Sequence, residues 1–190
     1  ECLESIKSQM CHIFLEIIWI NDGSDAMNTP ILKKLLKDFE NTTRYCSVVY
    51  NENDGNKGIG FTLNKGILMC SNDLIIKMDT DDIMMPRRIK RQVDFMNANP
   101  DIAICGGQIQ MFHDNGLKAT KSNHPSITFD EYKKNPNHWF INHPTVCYRK
   151  HCVLKAGNYD KNLKEMAEDF ELELRMLKTF GKIHNLPDIL

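Results

Sequence analysis

Leu74-Ile75-Ile76-Lys77-Met78-Asp79-Thr80-Asp81-Asp82 decides how this chain is read. The run from Leu74 to Met78 has the length and character of a buried strand, and three carboxylates follow within four positions. Acids packed so closely repel one another, and a fold tolerates them best where water or a cation screens the charge. Asp-x-Asp at a strand end suits a hard divalent cation bound through oxygen and, through the cation, a diphosphate. An acidic turn is the competing reading, but one helix cap needs one carboxylate, not three.

Outward from this stretch, strands and helices alternate. Phe14 to Ile20 is strand-like, and Thr29 to Phe39 has helical spacing with Pro30 near its start. Ser47 to Tyr50 is a strand and Ile59 to Cys70 a helix. Pro86 opens a third helix with Ile89, Val93 and Met96 facing the core, and Ile102 to Cys105 starts another strand. This order predicts an α/β domain with a mixed, mostly parallel sheet covered on both faces. The second half is looser. Gln108 to Phe112 alternates, 113–116 is a turn, and Ser126 to Lys134 is a short helix. His143 to Tyr148 reads as a strand, Asp169 to Phe180 as a helix closed by Gly181, and Lys182 to Leu186 as a last strand. With 190 residues, the two halves complete one domain.

Charges nearly cancel, at net −1, so nothing suggests a bulk electrostatic grip on nucleic acid or an anionic membrane. The basic cluster Arg87-Arg88-Ile89-Lys90-Arg91 reads as a solvated helix face. Seven cysteines, an odd number with no Cys-x-x-Cys, read as reduced and buried thiols. No apolar run reaches membrane-spanning length and no signal peptide is visible, so the expected location is cytoplasmic. The sequence opens on Glu1, which leaves an upstream anchor or targeting segment open.

Each of the first three strands runs into a polar loop: Asn21-Asp22-Gly23-Ser24-Asp25, then Asn51 to Gly58, then Asp79 to Asp82. In an open α/β sheet, ligands bind at the carboxyl ends of the strands, so the three loops should share one edge. Asp25 and Asn28 precede a helix and read as its caps, and Asp54 reads as a turn residue. For Asp22, turn and ligand roles both stand.

In these blocks the chain resembles family 2 glycosyltransferases of GT-A fold, a Rossmann-like nucleotide-diphospho-sugar transferase architecture. Glu16 to Ser24 resembles the family's first block. Asn56-Lys57-Gly58 with Leu63-Asn64-Lys65-Gly66 resembles its next loop and helix, and Asp79-Thr80-Asp81-Asp82 with Pro86 its Asp-x-Asp motif. His143-Pro144-Thr145 with Arg149, Gly157-Asn158-Tyr159-Asp160 and Glu168-Asp169-Phe170-Glu171-Leu172 resemble its later blocks, in the expected order.

The resemblance implies an inverting, metal-dependent transfer of sugar from a nucleotide-diphosphate donor, expected to be a UDP-sugar, to a hydroxyl of a glycan, lipid or protein acceptor. A homodimer is compatible with it. Residues 1–105 would form the nucleotide-sugar half and 106–190 the acceptor and catalytic half. Asp81 would hold Mn²⁺ or Mg²⁺. Asp79 would support the metal or face the donor ribose, and Asp82 would cap the following helix. Asp22 would meet the base, commonly uracil, and Lys57 the base or diphosphate. Asp169 would be the general base, with Glu168 the weaker alternative. His143 could reach the metal or diphosphate, though a lone His beside Pro is more often structural. Trp139 could stack on an acceptor sugar, but core packing is the favoured role.

The family's strand before the first helix is absent from these residues, which implies an open sheet position, and so are its C-terminal acceptor elements. A truncated, non-catalytic nucleotide- or partner-binding module is therefore the alternative. A nucleotidyltransferase would also use paired acids, but no Gly-rich basic phosphate loop is present.

Overall fold

The computed structural model describes residues 1–9, 13–113, 116–136, 138–163 and 167–190. In chain order come α1 (Cys2–Lys7), β1 (Leu15–Asn21), α2 (Thr29–Thr42), β2 (Cys46–Glu52), α3 (Ile59–Met69), β3 (Leu74–Ile76) and α4 (Arg88–Ala98). Then follow β4 (Ile104–Gln108), the hairpin β5 (Gln110–His113) and β6 (Gly116–Lys121), β7 (Ile127–Thr128) and α5 (Phe129–Lys134). A 3-10 turn at His143–Thr145 leads to β8 (Cys147–Arg149), α6 (Lys150–Lys155), α7 (Glu168–Phe180) and β9 (Lys182–Ile189).

Helical spacing explains the layers. Leu36 and Phe39 of α2 are buried, as are Ile89, Gln92 and Met96 of α4 and Leu172, Met176 and Leu177 of α7. β1 and β2 pair in parallel from Leu15 opposite Cys46 to Asn21 opposite Glu52, so their following loops leave at one edge. Gly181 closes α7 with φ 81°, the left-handed end its position predicts.

The sheet is mixed and flanked by helices, as expected, with more antiparallel than parallel pairs among the described strands. β8 sits antiparallel between β3 and β4, which therefore do not pair directly; β4 runs parallel to β9, and β9 antiparallel to β7. Val146, Cys147 and Tyr148 are all 0% exposed, a three-residue apolar run that an interior strand position accommodates.

Other expectations are corrected locally. The predicted strand at His143 begins as a 3-10 turn containing Pro144, which has no N–H to give to a ladder. Ser126 to Lys134 is divided: Ile127 and Thr128 pair with β9, and Thr128 forms a reciprocal capping box with Glu131. α4 starts at Arg88 rather than at Pro86, because Arg87 is left-handed, at φ 66°. The helix α6 carries no strong apolar period and was not expected from the sequence.

Among the described residues no ladder joins β1 to β3; both strands line a cavity of about 700 Å³ whose walls include Ile6, Ile17, Ile75 and Met78. Among the described residues six cysteines are free thiols, buried or half-buried. Cys11, Asn137 and the expected turn residues Asp114 and Asn115 lie outside the described residues. No described helix is long and apolar enough to cross a membrane.

Candidate active site

Asp22 sits where β1 ends and joins two of the polar loops. Its Oδ1 accepts from Asn53 Nδ2 at 2.7 Å and the Lys57 N–H at 2.9 Å, and its Oδ2 accepts from the Gly58 N–H at 2.9 Å. Partial burial pushes this carboxyl up, but the donors of Asn53, Lys57, Gly58 and Thr62 outweigh it and hold Asp22 below the ordinary carboxylate range. Gly23, at φ 81°, lets the loops close: a Cβ there would lie 2.5 Å from the Asn56 nitrogen. The Lys57 side chain is exposed at the same rim. Asp25 accepts the Met27 N–H at 2.8 Å in a local turn, and Asn28 occupies the N-cap of α2 without a side-chain bond.

Beyond β3, Asp79 is half-buried and Asp81 is exposed. Lys77, with a side chain 10% exposed, pairs with Asp79 Oδ1. Arg88 is buried beside them. Its Nη2 donates to the carbonyls of Lys77 (2.8 Å) and Pro144 (2.9 Å), and its Nε donates to Gln92 Oε1 at 3.0 Å. Burial lowers the Arg88 guanidinium to about 10. The solvated basic face expected here is thus interrupted by a buried clamp. Asp82 does not cap α4, whose N-cap is Arg87. Burial, then the charges of Asp79 and Asp81, push the Asp82 carboxyl up.

The amino end of α7 faces this acidic edge. Glu168 is buried, and burial followed by the charge of Asp169 raises its carboxyl, while Lys77 lowers it and Asp79 raises it further. Asp169 lies inside the helix, where the dipole favours a carboxylate, and Ala167 is the N-cap, so Asp169 is not the cap. Its Oδ1 accepts the Phe170 N–H at 2.6 Å.

Below lies a buried polar floor. His143 Nε2 and Tyr159 OH are 2.8 Å apart, and Tyr159 OH and Tyr148 OH 3.2 Å. Burial, with help from Lys77, depresses His143 to about 3, so its ring is neutral. His143 is 7% exposed and paired with Tyr159. Trp139 is placed differently from its favoured core role, being 55% exposed.

The match to the family described as Glycosyl transferase family 2 covers residues 1–156. The chain belongs to glycosyl transferase family 2. It is 31% identical over 194 residues to the amylovoran biosynthesis glycosyltransferase AmsE of Erwinia amylovora, covering 100% of this chain and 68% of AmsE. It is 28% identical over 179 residues to an Escherichia coli UDP-Gal:alpha-D-GlcNAc-diphosphoundecaprenol beta-1,3-galactosyltransferase, covering 92% of this chain and 61% of that enzyme. The solved mannosyltransferase PcManGT of Pyrobaculum calidifontis, in complex with GDP-Man and Mn²⁺, superposes with a TM-score of 0.70 at 14% identity, over 98% of this chain and 50% of its own. The fold is GT-A. The chain spans about two thirds of these curated relatives and half of that solved chain.

Three residues of this family 2 glycosyltransferase escaped the sequence reading. Lys77 had a usable signal, a lone cation inside an apolar strand two residues before an Asp. Arg88 had none, since its neighbours are solvated bases. Glu173 is 0% exposed, and neither carboxyl oxygen has a hydrogen-bond partner among the described residues. Its spacing, four residues from both Asp169 and Leu177, puts it on the buried face of α7.

Among the described residues no three His, Cys, Asp or Glu side chains form a ready-made metal cage. The donor set fits a cation that arrives with its ligand: Mg²⁺-type sites commonly combine one or two carboxylates with phosphate oxygens and water. Asp81 and the exposed part of Asp79 are such carboxylates.

Proposed function

We propose that this protein transfers a sugar from a nucleotide-diphosphate donor to an acceptor hydroxyl, with inversion. The observation carrying the reading is the approach of the α7 amino end to the end of β3, where Lys77 and Asp79 act electrostatically on Glu168, the neighbour of Asp169. That arrangement supports a reading in which a base candidate lies opposite a diphosphate-binding edge. Asp169 takes the proton of the acceptor hydroxyl as its oxygen attacks the anomeric carbon; the bond from that carbon to the diphosphate oxygen breaks, and the nucleoside diphosphate leaves. Asp81, supported by Asp79, would hold Mn²⁺ or Mg²⁺, which when bound supplies charge neutralisation for the leaving diphosphate. Asp79 alternatively meets the donor ribose. Asp22 Oδ2, with one protein N–H bound, retains lone-pair capacity for a base imide N–H, which favours a UDP-sugar. Lys57 offers its ammonium to base or diphosphate.

Thermal shift with UDP- and GDP-sugars, with and without Mn²⁺, tests donor binding, and product analysis tests turnover. Asp81→Asn should remove the metal-dependent stabilisation. Asp169→Asn should retain donor binding and lose about 10²–10⁴-fold in transfer. Full transfer by Asp169→Asn would overturn the base assignment, and metal-dependent binding without any turnover would favour a non-catalytic module.

A further inference from the structure

Phe170 follows Asp169 on α7 and ends a column of aromatic rings that rises from the core. Tyr132 and Phe140, 7% and 3% exposed, meet edge-on at 5.5 Å between centroids. Phe140 lies 5.6 Å from Phe170, and Phe170 meets Trp139 at 5.1 Å and 71°. Trp139 closes the column at 55% exposure. Isolated exposed apolar side chains are ordinary, but this indole is not isolated. It is braced by a ring whose own backbone neighbour is the candidate base. Rigid, amphipathic aromatic side chains held this way are efficient anchors for a ligand with both apolar and polar surfaces. A pyranose ring has that character: a face of C–H groups for the indole and a rim of hydroxyls for hydrogen bonds.

We propose that Trp139, braced by Phe170, is the platform on which the acceptor's pyranose ring stacks, positioning one of its hydroxyls toward Asp169. The inference rests on the transferase reading through Asp169 and adds the acceptor class: a sugar-terminated molecule rather than a bare lipid or peptide hydroxyl.

The test follows the indole N–H signals of the two tryptophans by NMR, assigned with Trp139→Phe, while the intact chain is titrated with methyl glycosides of glucose, galactose, mannose and N-acetylglucosamine. At least one glycoside should shift the Trp139 signal saturably. Trp139→Phe, which keeps an aromatic face, should weaken binding a few-fold, and Trp139→Ala tenfold or more, as read on neighbouring backbone amides. In turnover assays Trp139→Ala should raise the KM for that glycoside at least tenfold more than the KM for the donor. Asp169→Asn should keep the NMR shift while losing turnover. No shift with any of the four glycosides, or equal binding by wild type and Trp139→Ala, overturns the platform. If the donor is bound and turned over in that case, the transferase reading stands without it. A Trp139 shift in a protein that neither binds nor turns over any nucleotide sugar would sink the transferase reading, and with it the acceptor role.

Discussion

Lys77 and Asp79 form an ion pair at the end of β3, with the lysine side chain 10% exposed and the aspartate 37%. The same ammonium acts on Asp82, His143, Glu168 and Glu173, making it the cation around which the site's acids are arranged. Lys77→Met should therefore lower stability by roughly 1–2 kcal/mol, less than for a fully buried pair because Asp79 reaches solvent. Lys77→Arg should recover most of the loss. Urea midpoints at neutral pH check both, and a Lys77→Met midpoint equal to wild type would remove Lys77 from its organising role.

Arg88 joins the end of β3 to the turn before β8 by donating to the carbonyls of Lys77 and Pro144 at once. A lysine offers one compact ammonium in place of that fork and loses more on burial. Arg88→Lys should cost roughly 2–4 kcal/mol. It should also speed hydrogen exchange at the Lys77 amide, which is bonded to the Val146 carbonyl at 3.0 Å. Slow exchange preserved in the variant would mean that the ladder, not Arg88, holds the strand end.

Local signals made the first half of the fold legible and left the strand order of the second half hidden. The apolar runs of β1, β2 and β3 and the stripes of α2 and α3 are properties of neighbouring residues. The seat of β8 between β3 and β4 depends on partners scores of residues apart. The same limit applies to motif blocks. Asn64 and Asn158 were visible as parts of two blocks, but only the structure shows why they go together: Asn64 Nδ2 donates to the Tyr159 carbonyl at 2.7 Å and Asn158 Nδ2 to the Asn64 carbonyl at 3.1 Å. The acids of the site were legible because crowded carboxylates are costly unless they have a use. The buried groups that balance or underlie them, Arg88 and Glu173, resemble ordinary surface residues in sequence.

Asp22→Ala should loosen the loops after β1 and β2 together. Substitution leaves the Lys57 and Gly58 N–H groups without their carboxylate, at a cost of about 1 kcal/mol where water can replace it. The folded carboxyl lies below its ordinary 3.8. The unfolded chain thus takes up the proton first as pH falls, and the contribution of Asp22 is full above 3.8 and lost as pH drops through the folded value. The stability gap between wild type and Asp22→Ala should be constant near neutrality and close in acid, as measured by urea titrations across that range. A gap that persists in acid would trace the effect to packing instead.

Glu173 gives the opposite sign. Burial, reinforced by the charge of Asp169 and eased by Lys77, pushes its carboxyl well above the ordinary 4.5. The folded protein therefore keeps this proton where the unfolded chain has released it. Stability falls as pH rises from 4.5 toward the folded value, by up to about 1.4 kcal/mol per pH unit. Glu173→Gln keeps the shape and removes the titration. It should match wild type below 4.5 and become progressively more stable than wild type above it. Urea midpoints at about pH 4 and about pH 7 read the difference. A stability difference that does not grow with pH would show that the Glu173 carboxyl is ionised in the fold and has found a cation or donor there.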